Sequence, residues 1–256
     1  MAYSIMLDAG HGGRDPGAVY NGRQEKDDTL RLALAVGEIL QNRGIDVEYT
    51  RTTDVYETPY EKAMEANQAG VDLFISIHRN SFPRDNEVSG VESLVYDLSG
   101  LKYQIAEAIN EELATIGFVD LGVKARPNLV VLKRTKMPAV LVEAGFINSD
   151  TDNMLFDQNF DDIALAIAEG ILDTLQRNGL IEGSADTSGS VNGSGNSGMT
   201  GGNAGGQYEN NEFENAVVHD YRVQVGAFRN RTYAERLRGN FWSRIFRRIL
   251  RILTAI

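Results

Sequence analysis

The chain has no cysteine among its 256 residues and only three histidines, His11, His78 and His219. Disulfides, thiolate metal sites and cysteine nucleophiles are therefore excluded, and any metal must be held by His, Asp or Glu. Positive charge is also scarce: 25 Lys and Arg against 36 Asp and Glu leave a formal net charge of -11. That balance argues against a nucleic-acid partner, because neutralising phosphates needs a concentrated basic surface. No run of about 18 apolar residues is present to span a membrane. Met1-Ala2-Tyr3-Ser4 leads straight into an apolar segment with no basic stretch before it, so no secretory signal is visible and the route of export is left open.

What the sequence does contain, from Tyr3 to Gln176, is short apolar runs alternating with helical periodicity. This pattern predicts an α/β domain over 1–181, three layers deep, around a mostly parallel, roughly six-stranded twisted sheet. Strands are expected at 4–7, 46–50, 73–77, 92–96, 129–132 and 139–142. Covering helices are expected at 29–42, 103–113 and 163–175; in the first, Leu30, Ala33, Leu34, Gly37 and Leu40 recur at helical spacing. Gly44 and Gly179 read as helix stops, where a residue without Cβ takes positive φ. Residues 182–216 read as a flexible linker rich in Gly, Ser and Asn. A short segment, 217–256, closes the chain.

The chemistry gathers where strands end. The first strand runs into Asp8-Ala9-Gly10-His11-Gly12-Gly13-Arg14-Asp15-Pro16-Gly17-Ala18, and open α/β sheets bind ligands at the carboxyl ends of their strands. A Gly-rich loop there suggests phosphate binding, yet the Walker lysine and the G-x-G-x-x-G spacing are both missing. His78 follows another apolar strand, Leu73-Phe74-Ile75-Ser76-Ile77, so two of three histidines fall at equivalent positions. A satisfied core histidine explains one such placement more easily than two. Glu25 opens the first long helix, and Glu143 continues the apolar run Ala139-Val140-Leu141-Val142. An acid there costs free energy unless it has a partner or a task.

These residues, with Glu25-Lys26, Thr50-Arg51, Ala66-Asn67, Gly90-Val91-Glu92-Ser93 and Pro138 to Ile147, resemble the zinc-dependent N-acetylmuramoyl-L-alanine amidases of the amidase 3 family. The resemblance covers about residues 3 to 176. It implies one zinc ion held by His11, Glu25 and His78, with Glu143 as catalytic acid/base. It also implies peptidoglycan as substrate, cut between the lactyl group of N-acetylmuramic acid and the L-alanine of the stem peptide. A monomer working outside the cytoplasm, in the cell wall or periplasm, is expected. Two imidazoles favour zinc over calcium or magnesium, which prefer oxygen. Asp8 and Asp15 are candidates to orient a ligand histidine, against the plainer role of capping the loop. Two departures stand out. Arg79 follows His78 where the family has a small residue, and is expected to be a solvated loop arginine rather than a substrate contact. Lys62 stands where arginine is common. The segment 82–89 is expected to meet substrate or a regulator.

Tyr221-Arg222-Val223-Gln224-Val225-Gly226 and the residues after it resemble the opening of a sporulation-related repeat (SPOR) domain, which in that family binds stem-stripped glycan. The chain is too short past that point for both strand–helix–strand units. In 241–256, Arg244, Arg247, Arg248 and Arg251 fall within an arc of roughly 100° on a helix, so weak contact with an anionic membrane surface is weighed against a broken domain end or a packing helix. Two rivals to the amidase reading remain at this point. One is a zinc carboxypeptidase or endopeptidase acting on wall peptides, and the other is a wall-binding module without catalysis.

Overall fold

The computed structural model describes residues 2–182. In chain order the elements are β1 (Ser4–Ala9), β2 (Val19–Tyr20), β3 (Arg23–Gln24), α1 (Glu25–Asn42), β4 (Asp46–Tyr49), α2 (Pro59–Ala69) and β5 (Leu73–Asn80). There follow β6 (Val91–Val95), α3 (Gly100–Ala114), β7 (Asp120–Ala125), α4 (Val130–Arg134), β8 (Ala139–Phe146), α5 (Asp150–Gln158) and α6 (Phe160–Arg177). Six strands form one sheet in the order β4-β1-β5-β8-β6-β7. β4, β1, β5 and β8 are parallel; β6 runs antiparallel to β8 and parallel to β7. The carboxyl ends of the four parallel strands therefore share an edge with the amino ends of β6 and β7. β2 and β3 make a separate two-stranded hairpin.

Helices α1, α3 and α6 pack together on one face, and α2 and α4 cover the other. Because both faces are covered, the central strands are continuously apolar rather than alternating. Ile5, Leu7, Leu73, Ile75, Ile77, Val140 and Val142 are fully buried. On the α2 and α4 face, Met6, Phe74, Leu94 and Leu141 pack with Ala66, Val131 and Leu132. Each large apolar side chain so buried contributes about 1.5–3 kcal/mol. Among the described residues no helix is long and apolar enough to cross a membrane.

The expected helices are present, extended at their ends, and Gly44 and Gly179 do take positive φ, +82° and +67°. One expected strand is not there. Residues 129–132 enter α4, with Val131 and Leu132 turned into the core below α2; four consecutive apolar residues carry no period that separates a strand from a helical turn. The sixth strand is instead β7, a half-exposed edge strand of sequence DLGVKA. α2 opens with a capping box, in which Thr58 and Glu61 each accept from the other's backbone N–H and Pro59 occupies the first turn. The linker, the SPOR-like segment and the amphipathic tail expected over 182–216, 217–256 and 241–256 lie outside the described residues, apart from Glu182.

Candidate active site

At the shared edge, β1 ends in a loop whose shape depends on glycine. His11 itself has φ +61°, followed by Gly12 at +133° and Gly13 at +56°. A Cβ on Gly12 would lie 2.1 Å from the Val55 carbonyl oxygen, and one on Gly10 would lie 2.5–2.7 Å from three atoms of the His78 ring. Close approach, rather than phosphate binding, is what these glycines permit. β5 runs on to Asn80 and β8 to Phe146, so His78 and Glu143 sit within their strands and not just past them. They are direct partners across the β5–β8 pair, and Glu143 also faces Glu92 across the β8–β6 pair.

Glu25, the first residue of α1 and buried, stands between the two histidines. Its Oε2 is 3.1 Å from His11 Nε2 and its Oε1 is 2.9 Å from His78 Nδ1. Backbone N–H groups of Ala18 and Arg79 donate to the same carboxylate at 2.9 and 3.1 Å. One donor atom from each of His11, Glu25 and His78 lies within 4.8 Å of the others, an arrangement that could hold a metal ion. The two rings stand edge to face, 4.9 Å between centroids. Burial alone would lower the His11 pKa, but hydrogen bonds and charge from Glu25 and Asp15 raise it to about 9. Burial would lift Glu25, yet the hydrogen bonds and charges of His11 and His78 hold it well below the usual carboxylate range. The cluster is therefore one that favours positive charge between its members.

The two candidate orienting acids differ. Asp15 Oδ2 lies 2.9 Å from His11 Nδ1, and Asp15 Oδ1 accepts from the Gly17 N–H at 3.0 Å. An ionised carboxylate only accepts, so Nδ1 donates to Asp15, and Nε2, 3.1 Å from Glu25 Oε2, carries a proton of its own that a metal ion would replace. Asp8 touches neither histidine; it accepts from Lys62 Nζ at 2.6 Å, Ser76 Oγ at 2.6 Å and Thr50 Oγ1 at 2.8 Å. Burial works against the charged Asp8, and Lys62 and Ser76 outweigh it to lower its pKa.

Glu143 is the unpartnered member. Its Oε2 is buried with no hydrogen-bond partner, and burial, reinforced by Glu25 and Glu92 against the opposing charge of His78, raises its pKa to about 7. Glu92, beside it, accepts from Asn80 Nδ2 at 2.9 Å and from Lys124. From the sequence Glu92 was part of the motif Gly90-Val91-Glu92-Ser93 but was given no role, and its place beside Glu143 was not anticipated.

Arg79 is not solvated. It is 2% exposed, donates to Asp28 Oδ2 at 2.7 Å and Asn153 Oδ1 at 2.8 Å, and lies 4.1 Å above the Phe156 ring. Its side chain runs inward beneath α5, tying β5 to α1. In the segment 82–89, Asn86 meets Tyr20 and Asp150, and Asp85 and Phe82 meet Asn148. These bonds hold the segment against the hairpin and the start of α5.

Residues 5–173 match the family Amidase_3, described as N-acetylmuramoyl-L-alanine amidase. The endolysin of Bacillus phage SPP1 is 37% identical over 185 residues, covering 68% of this chain and 67% of the endolysin. The sporulation-specific N-acetylmuramoyl-L-alanine amidase of Bacillus subtilis is 40% identical over 152 residues, 58% of each chain. Thus the chain spans about two thirds of the first relative and little more than half of the second. Among solved structures, an N-acetylmuramoyl-L-alanine amidase from Clostridium difficile superposes with a TM-score of 0.64 at 30% identity, covering 68% of this chain and 97% of that one. An amidase of Nostoc punctiforme gives 0.64 at 32% identity, covering 68% and 98%.

Proposed function

Because this chain belongs to the Amidase_3 family of N-acetylmuramoyl-L-alanine amidases, we propose that its first 181 residues hydrolyse the amide joining the lactyl group of N-acetylmuramic acid to L-alanine in peptidoglycan. We propose further that His11, Glu25 and His78 hold one zinc ion and that Glu143 is the acid/base. The observation that carries this reading is the pairing of a three-donor cluster with an adjacent carboxyl that has a free buried oxygen and a pKa near 7.

The donor set fits zinc. Two imidazoles and one carboxylate are a common catalytic zinc shell, whereas hard cations would call for more oxygen. When bound, zinc supplies Lewis acidity and lowers the pKa of a water to about 7. The remaining steps fall to this chain's own groups. Asp15 fixes the His11 tautomer, and the Ala18 and Arg79 amides fix the Glu25 carboxylate. Glu143, whose buried Oε2 has no hydrogen-bond partner, accepts the proton of the attacking water and returns it to the departing L-alanine nitrogen. One carboxyl serves both transfers because the amine that leaves needs the proton that the water gave up. Action on the wall places the protein outside the cytoplasm.

The test is mass spectrometry of purified peptidoglycan after digestion. Intact stem peptides beginning with L-alanine are expected; peptides with other termini would transfer the same metal chemistry to a wall peptidase.

A further inference from the structure

Arg51 lies between the two segments that carry His11 and Glu25 and touches neither side chain. It follows β4, is 3% exposed, and uses its guanidinium on backbone oxygens from three separate parts of the chain. Nε donates to the Ala9 carbonyl at 3.1 Å, and one terminal nitrogen donates to the Gly10 carbonyl at 2.9 Å. The same nitrogen donates to the Lys26 carbonyl at 2.8 Å and to Thr29 Oγ1 at 3.2 Å. The other terminal nitrogen donates to the Thr53 carbonyl at 3.2 Å. Ala9 and Gly10 are the two residues before His11, and Lys26 is the residue after Glu25. Thr29 Oγ1 closes the figure by donating to the Gly10 carbonyl at 2.8 Å.

The energetics make this an unusual use of a cation. Burial lowers the Arg51 pKa against the more distant charges of Asp8 and Asp54, and no carboxylate pairs with it among the described ion pairs. A desolvated guanidinium held only by neutral oxygens, four carbonyls and one hydroxyl, is costly. What it gives, and packing cannot, is direction. A planar fork with several N–H groups at fixed angles sets the separation of the carbonyls it joins. His11 needs such a constraint, because its φ of +61° is a strained backbone state for a non-glycine residue.

We infer that Arg51 is a positioning residue for the metal centre, holding the His11 loop and the first turn of α1 at the spacing that lets His11 and Glu25 share one ion. The inference rests on the zinc reading above. Lysine at this position keeps the charge but is a point donor on a flexible stem and cannot bridge both segments.

The experiment measures zinc affinity by chelator competition on the full chain, together with the visible spectrum of the cobalt-substituted protein. Wild type is compared with Arg51→Lys and with Val36→Ala, a core variant in α1 that lowers stability without reaching the site. Arg51→Lys is expected to fold, to bind zinc about 10- to 100-fold more weakly, and to show an altered cobalt spectrum. Val36→Ala is expected to keep wild-type affinity and spectrum. Zinc affinity of Arg51→Lys within twofold of wild type, or an equal loss in Val36→Ala, would overturn the positioning role. Failure of wild type itself to bind zinc would overturn the metal reading, and this inference with it.

Discussion

The Glu143 carboxyl departs from ordinary glutamate because burial disfavours its charged form, with Glu25 and Glu92 adding to the effect. Its pKa rises from 4.5 to about 7, so the fold binds its proton more tightly than the unfolded chain does. Below pH 4.5 the carboxyl is neutral in both states and its favourable contribution is complete. As pH rises from 4.5 to about 7 that contribution is lost, on the order of 3 kcal/mol for a shift of this size. In metal-free protein, Glu143→Gln is therefore expected to gain stability over wild type across this window and to keep a constant advantage above it. Thermal melts at intervals of pH check this; a difference independent of pH would contradict it. The sequence had already brought His11, Glu25, His78 and Glu143 to one edge by their places after strands or at a helix start. Arg79 was misread for a reason at the same scale: a charge after a strand end reads as solvated unless its partner is known, and Asp28 lies 51 residues away.

Among the elements, two contacts separate packing from electrostatics. Gly170 in α6 faces α3 so closely that a Cβ would lie 2.8 Å from the Ile109 backbone. Gly170→Ala gains about 1 kcal/mol of helix propensity but must push two buried helices apart, which costs about 1–3 kcal/mol. A net loss in denaturant midpoint is expected. Asp28 is buried between Arg23 and Arg79, so Asp28→Ala strands a buried guanidinium and should cost about 3–5 kcal/mol. Asp157→Ala, which removes the exposed partner of Arg23, should cost about 1 kcal/mol or less. Equal losses by chemical denaturation would contradict the burial argument. Five of the six strands were legible because central parallel strands are continuous apolar runs. β7 was not, since an edge strand exposes half its residues and DLGVKA carries two charges and a glycine. α2 was not among the expected helices, because periodicity alone passes over the capping box of Thr58-Pro59-Tyr60-Glu61 that starts it.

For the molecule as a whole, the sheet edge and the three residues that could hold a metal ion lie within residues 2–182. A chain ending at residue 181 is expected to release stem peptides from soluble wall fragments at the same rate as the full chain. A large loss on such fragments would assign a catalytic contribution to 182–256. A zinc ion held by His11, Glu25 and His78 would tie the helix start, the β1 loop and β5 together, so free zinc at about 100 times its dissociation constant should add about 2.7 kcal/mol to unfolding. Calorimetry with and without a chelator measures it.

The most direct test compares zinc-loaded wild type with Glu143→Ala that retains one zinc ion, both incubated with purified peptidoglycan, while new L-alanine amino termini are counted over time. The account predicts steady release by wild type and a rate at least about 100-fold lower in the variant, the scale of a lost general acid/base. Release at equal rates by both proteins would contradict it.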